Sequence, residues 1–70
     1  SMWKEGDYMN KKYETLNDLI DDQVKDYKII YQSLTTIIVQ IDNLRLKIID
    51  FIYNPQGYII TNISYYRKVG

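Results

Sequence analysis

Asp18, Asp21, Asp22 and Asp26 fall within one nine-residue stretch. Clustered carboxylates are what a divalent cation site or an acidic docking face needs, because hard cations take oxygen ligands. A second group, Tyr58, Tyr65 and Tyr66 beside Arg67 and Lys68, combines ring faces with positive charge, the chemistry of stacking on nucleic-acid bases or sugars. Nothing else offers chemistry. The chain has no histidine and no cysteine, which removes the commonest general base, the thiolate nucleophile and the imidazole and thiolate metal ligands. No glycine-rich phosphate loop, catalytic triad or paired-carboxylate cleft can be assembled. Asn62-Ile63-Ser64 fits a glycosylation acceptor, but no signal peptide accompanies it. The expectation is a chain without catalytic activity, cofactor or metal.

The elements that would carry these groups decide between chemistry and structure. From Tyr13 to Phe51 the chain repeats every seven residues. First core positions are Tyr13, Ile20, Tyr27, Leu34, Ile41 and Ile48; second core positions are Leu16, Gln23, Ile30, Ile37, Leu44 and Phe51. Eleven of the twelve are apolar or aromatic in a chain only 46% hydrophobic, so the pattern predicts a coiled-coil stripe. Asp18, Asp21 and Asp22 then take outer heptad positions and read as a solvated face. No glycine or proline interrupts the run before Asn54-Pro55-Gln56-Gly57, a strong turn signal. Asn10 is a fair N-cap, and Thr15-x-x-Asp18 resembles a capping box one turn later. The organisation predicted is a lead-in over 1–9, partly disordered, a helix over 10–53, a turn at 54–57, and a C-terminal fold-back or capping segment over 58–70. A helical hairpin broken at Ser33-Leu34-Thr35-Thr36 is the alternative arrangement.

The expected fold class is therefore mainly all-α: one long helix forming a parallel coiled coil or helical bundle. Isoleucine at second-core positions and the bulk of Tyr13, Tyr27 and Phe51 favour three chains, then four, over two. Val24, Tyr31, Ile38 and Ile52 widen the stripe. Gln23 would set register by meeting its own copies. A second apolar line, Val39, Leu46, Ile49 and Tyr53, lies on the back of such a helix. Ile59, Ile60 and Ile63 sit beyond the turn in a β-branched and aromatic run, which favours a short strand folding back onto that line. There Ile59, Thr61, Ile63 and Tyr65 would share a face, and the C-terminal tyrosines would cap the helix end.

Function follows as expectation. The reading is a non-enzymatic oligomerisation or scaffold module; the rival is a small regulatory helix docking its apolar face on a partner protein or membrane surface. Nine basic residues balance nine acidic ones, which argues against a general nucleic-acid footprint. The uncharged run 29–41 is too short to span a bilayer, and the absence of cysteine suits a reducing, intracellular compartment.

Overall fold

The computed structural model describes residues 11–68, and they form a β-sheet with one short helix rather than a coiled coil. The lead-in, Asn10 and the last two residues lie outside the described range. The order is β1 (Lys12–Tyr13), α1 (Leu16–Gln23), β2 (Lys28–Gln32), β3 (Thr36–Gln40), β4 (Arg45–Asn54) and β5 (Gly57–Arg67). The five strands lie in the order β1-β5-β4-β3-β2, and every pairing is antiparallel. The expected helix over 10–53, the parallel coiled coil through which three or four chains would assemble, and the helical scaffold role built on it are overturned by this topology.

The correction has a physical reason at each place where the heptad ran straight through. Residues 28–41 are dominated by isoleucine, valine, threonine and tyrosine, whose branched or aromatic side chains fit a pleated surface better than a helix interior. Three short polar segments then turn the chain. The Ser33 hydroxyl accepts from the amides of Thr35 and Thr36 at 3.2 and 3.1 Å. The Asp42 carboxylate accepts from the amides of Leu44 and Arg45, each at 2.9 Å. The Asn54 side chain accepts from the Gln56 amide at 2.8 Å. Ser, Asp and Asn make such local bonds readily, and each bond gives the backbone an alternative to a continuing helix. One helix survives, at the second start signal: Thr15 is its N-cap, and its hydroxyl accepts from the Asp18 amide at 3.1 Å.

Helix α1 takes the chain from β1 at one edge of the sheet to β2 at the other. Four inter-strand spacings of about 4.8 Å make that a journey of roughly 19 Å. Eight helical residues cover about 12 Å of it, and the links on either side cover the rest. On the way the helix buries Leu19 and Val24 against Ile37 and Val39 of β3, Ile49 and Phe51 of β4, and Ile60 of β5. Tyr13, Leu16, Ile20, Ile29, Tyr58 and Ile63 close around this core.

Cross-strand pairs assign the two faces, because directly paired residues point the same way. The rows Ile37–Ile49–Ile63, Val39–Lys47–Tyr65, Phe51–Ile60 and Tyr13–Tyr58–Tyr53 belong to the helix-covered face. Two bulges adjust the alternation. Ile30 is passed over between the pairs Ile29–Val39 and Tyr31–Ile38, and Thr61 between Asn62–Asp50 and Ile60–Phe51. The Thr61 bulge corrects the expectation of a shared face: Ile59 points away from the helix and Ile63 toward it. The chain does reverse at Asn54–Gly57, but β5 pairs edge to edge with β4 and covers no helix back.

Gly57 holds this reversal. Its φ is +130°, and a Cβ there would collide with the carbonyl oxygen of Tyr13 on β1. Both the backbone conformation and the close approach demand glycine.

Candidate functional site

Two surfaces stand out once the faces are assigned. The first is the side of the sheet that the helix leaves uncovered. Its central rows are Tyr31–Ile38–Ile48–Ser64 and Lys28–Gln40–Leu46–Tyr66. A polar band, Thr36–Asp50–Asn62, separates them from Ile52–Ile59–Lys12. In the band the Thr36 hydroxyl donates to the Asp50 carboxylate at 2.9 Å. Seven large apolar or aromatic side chains thus face away from the core. Tyr31, Ile52 and Tyr66 are about half exposed, and none of the seven belongs to the buried cluster. A solvated sheet face ordinarily alternates to polar residues, whereas β4 is apolar on both sides: Ile49 and Phe51 inward, Leu46, Ile48 and Ile52 outward.

The second surface is a cleft of about 510 Å³ where the C-terminal end of α1 meets the start of β4 and the end of β5. A network of side chains builds its wall. The Tyr13 hydroxyl donates to Asp22 at 2.5 Å, Lys11 pairs with Asp22 at 3.0 Å, and the Gln23 amide donates to the Tyr13 oxygen at 3.1 Å. Lys47 reaches across from β4. Its ammonium donates to the Gln23 backbone carbonyl at 2.9 Å and to the Gln23 side-chain oxygen at 3.1 Å. A cation at these positions satisfies a carbonyl that the helix end leaves open and meets the negative end of the helix dipole.

Charges in the wall respond to this packing. Hydrogen bonds from Tyr13 and Lys11 hold the Asp22 carboxyl below its ordinary range. Burial, followed by the bond to Asp22, raises the Tyr13 phenol. Burial and then repulsion from Lys25 lower the Lys47 ammonium. Beside the cleft, Asp42 accepts from Arg45 Nε at 2.8 Å and pairs with its guanidinium, which lowers the Asp42 carboxyl.

The residues expected to line a coiled-coil seam are dispersed. Ile37 and Phe51 are buried in the sheet core, with Tyr13, Leu16 and Ile20 at its margin. Gln23, expected in a helical seam, is instead in the cleft wall, bonded to Tyr13 and Lys47. Ile48 faces outward with Ile38. Tyr27, Ile30 and Leu44 are about half exposed, Leu34 is 91% exposed in the β2–β3 turn, and Ile41 lines the cleft. Of the residues expected in a fold-back contact, Val39, Ile49, Ile60 and Ile63 pack on the helix side. Leu46 and Ile59 point to the open side, and Tyr53 packs against Tyr58 with ring centroids 4.7 Å apart and the rings tilted by 51°.

The acidic cluster does not converge: among the described residues no three carboxylates group closely enough to hold a metal ion. The tyrosine–basic group is split by strand alternation, Tyr65 going to the cleft and Tyr66 to the open face. Lys25 and Lys47 were not singled out in the sequence. Their one signal is Lys47's place, with Arg45, at the charged end of an inward row of β4 that continues as Ile49 and Phe51. Among the described residues no helix is long and apolar enough to cross a membrane.

These features define the class as a five-stranded antiparallel sheet with one face covered by a single helix. Comparison with protein-family models, curated proteins and solved structures finds no match.

Proposed function

We propose that this chain is a non-enzymatic protein-interaction module that works through the open face of its sheet, and that the surface docked there is a second copy of the same face. The observation that carries the reading is the double-sided apolar pattern of β4, with Leu46, Ile48 and Ile52 outward. Strands apolar on both sides are characteristic of sheets covered on both sides, and an apolar patch of this extent on a small domain marks an interaction surface.

Three features favour a second copy as the occupant. The five strands hold 33 residues, and at about 3.4 Å along and 4.8 Å across per residue the face covers roughly 540 Å². Two such faces bury about 1,100 Å² between them, the small end of specific interfaces. The charges lie where a rim belongs, with Lys12 and Lys28 at the two edges and apolar rows between. The one central carboxylate, Asp50, already accepts a hydrogen bond from Thr36. A two-fold contact brings the same patch against itself, and two such faces would stack about 10 Å apart as a sandwich.

Light scattering across a concentration series tests this. The expected mass is about twice 8.4 kDa, falling to 8.4 kDa in Ile48→Lys. That substitution is on the outward row, so the variant should keep its sheet spectrum. A wild-type chain that stays monomeric at millimolar concentration would overturn self-association. A dimer that Ile48→Lys leaves intact would place the contact elsewhere.

A further inference from the structure

We propose that the cleft at the end of α1 is a binding site for a small phosphate monoester, held chiefly by Lys25 and Lys47. The site is separate from the open sheet face, since Lys47 belongs to the inward row Val39–Lys47–Tyr65.

The argument starts from charge. Lys11, Lys25, Arg45 and Lys47 line the cleft, and Asp22 is the one carboxylate among the lining residues. Asp22 is engaged by Lys11, Tyr13 and Gln23, and Arg45 is engaged by Asp42 from outside the cleft. Among the described residues Lys25 and Lys47 have no salt-bridge partner, although they are close enough for Lys25 to depress the Lys47 ammonium. Both ammonium groups line the same cleft, so an anion seated between them meets two positive charges at once.

Backbone geometry adds an independent observation. Lys25 has φ +55°, the only positive φ at a non-glycine residue among the described residues. It directly follows the helix C-cap, Val24, and its amide donates back to the Ile20 carbonyl at 3.3 Å. Glycine or asparagine ordinarily fills this left-handed position, and a lysine there is strained. Capping the helix explains why Lys47 is in the wall. It does not explain a lysine at position 25, where glycine would end the helix with less strain. An anion held by the Lys25 side chain does.

The chemistry of the donors selects the ligand class. Arg45, the residue suited to a planar carboxylate, already has its guanidinium fork on Asp42. What remains are ammonium groups, compact point charges that favour a dense dianion such as a phosphoryl group. Two of the three Lys47 N–H groups are used on Gln23, which leaves one for the ligand. The volume of about 510 Å³ exceeds what a lone phosphate needs and falls in the range of small-molecule sites. Tyr27 and Tyr65, also in the lining, offer ring surface to the organic part.

Titrations of the full chain at low ionic strength with inorganic phosphate and with adenosine monophosphate, followed by amide NMR, test the proposal. The expected result is saturable shifts at Gln23–Tyr27, Arg45–Lys47 and Tyr65, with the monophosphate ester binding more tightly than phosphate. Lys25→Gly keeps the left-handed turn, so its melting temperature should not fall, yet affinity should drop on the order of tenfold. The Lys47 ammonium should titrate at higher pH when the ligand is bound. The proposal is overturned if neither probe saturates by 10 mM, on the order of the weak end of specific binding. It is equally overturned if Lys25→Gly binds like wild type, or if chloride at equal ionic strength produces the same shifts.

Discussion

Gly57 and Asp22 show what single side chains contribute here. At Gly57 any Cβ meets both a positive φ of 130° and the Tyr13 carbonyl. Gly57→Ala should therefore destabilise the fold by about 2 kcal/mol or more, read from the midpoint of urea unfolding. A change below a few tenths would mean that β1 can shift away at little cost. At Asp22 the carboxyl is held below its usual value of 3.8 by Tyr13 and Lys11. A depressed carboxyl stabilises the fold above its unfolded value, and that contribution is lost as pH falls through the lower folded value. The unfolding midpoint should thus decline below about pH 4, with Asp42 contributing in the same window because Arg45 lowers it too. Asp22→Asn should start lower at pH 7 and show a shallower acid decline, measurable by thermal unfolding between pH 2 and 7. Tyr13 acts at the other end. Its raised phenol favours the fold below about pH 10 and withdraws that support as pH rises through its folded value.

At the scale of elements, the heptad that predicts one helix and the alternation that builds three strands use the same residues. Spacings of three and four pick up apolar side chains equally well when both faces of a strand are apolar, as in Arg45–Asn54. The pattern in residues 36–52 therefore carried no decision between periods. β-Branched composition and the Asp42-Asn43 turn signal held the decision instead. The Thr15–Asp18 capping signal was legible, and so was the reversal at Asn54–Gly57. The cleft was not, because Lys25, Lys47 and Tyr65 are brought together only by the strand register and the helix crossing. Pairing on both sides distinguishes β4 from β2, which lies at the edge and carries the Ile30 bulge. Hydrogen exchange should accordingly be slowest at Ile48–Phe51 and fastest among the strands at Lys28–Gln32. Equal protection in the two strands would indicate that something covers the β2 edge.

For the whole molecule, the small core sets the terms. Seven side chains are fully buried among the described residues, and a chain of 70 residues with no disulfide has little other stabilisation. If a second copy covers the open face, association and folding are linked, and the melting temperature should rise with protein concentration. Differential scanning fluorimetry over a hundredfold concentration range should show that rise in wild type and a flat line in Ile48→Lys. A flat line in both would separate folding from any association.

The placement of β1 beside β5 also governs how the protein is made. The described elements emerge in the order β1, α1, β2, β3, β4, β5, yet β1 pairs only with β5. Leu19 and Val24 of the early helix share their core with Ile60 of the last strand. A ribosome adding about 5–20 residues per second takes roughly 2–8 seconds between Leu19 and Ile60. Throughout that interval the first strand has no neighbour to pair with and the helix has an incomplete floor. The β2–β4 meander can form early, but the two-layer domain closes in a single late step when Gly57–Arg67 clears the exit tunnel. A nascent chain stalled before that point exposes its helix-side apolar row to whatever chaperone or protease is nearby.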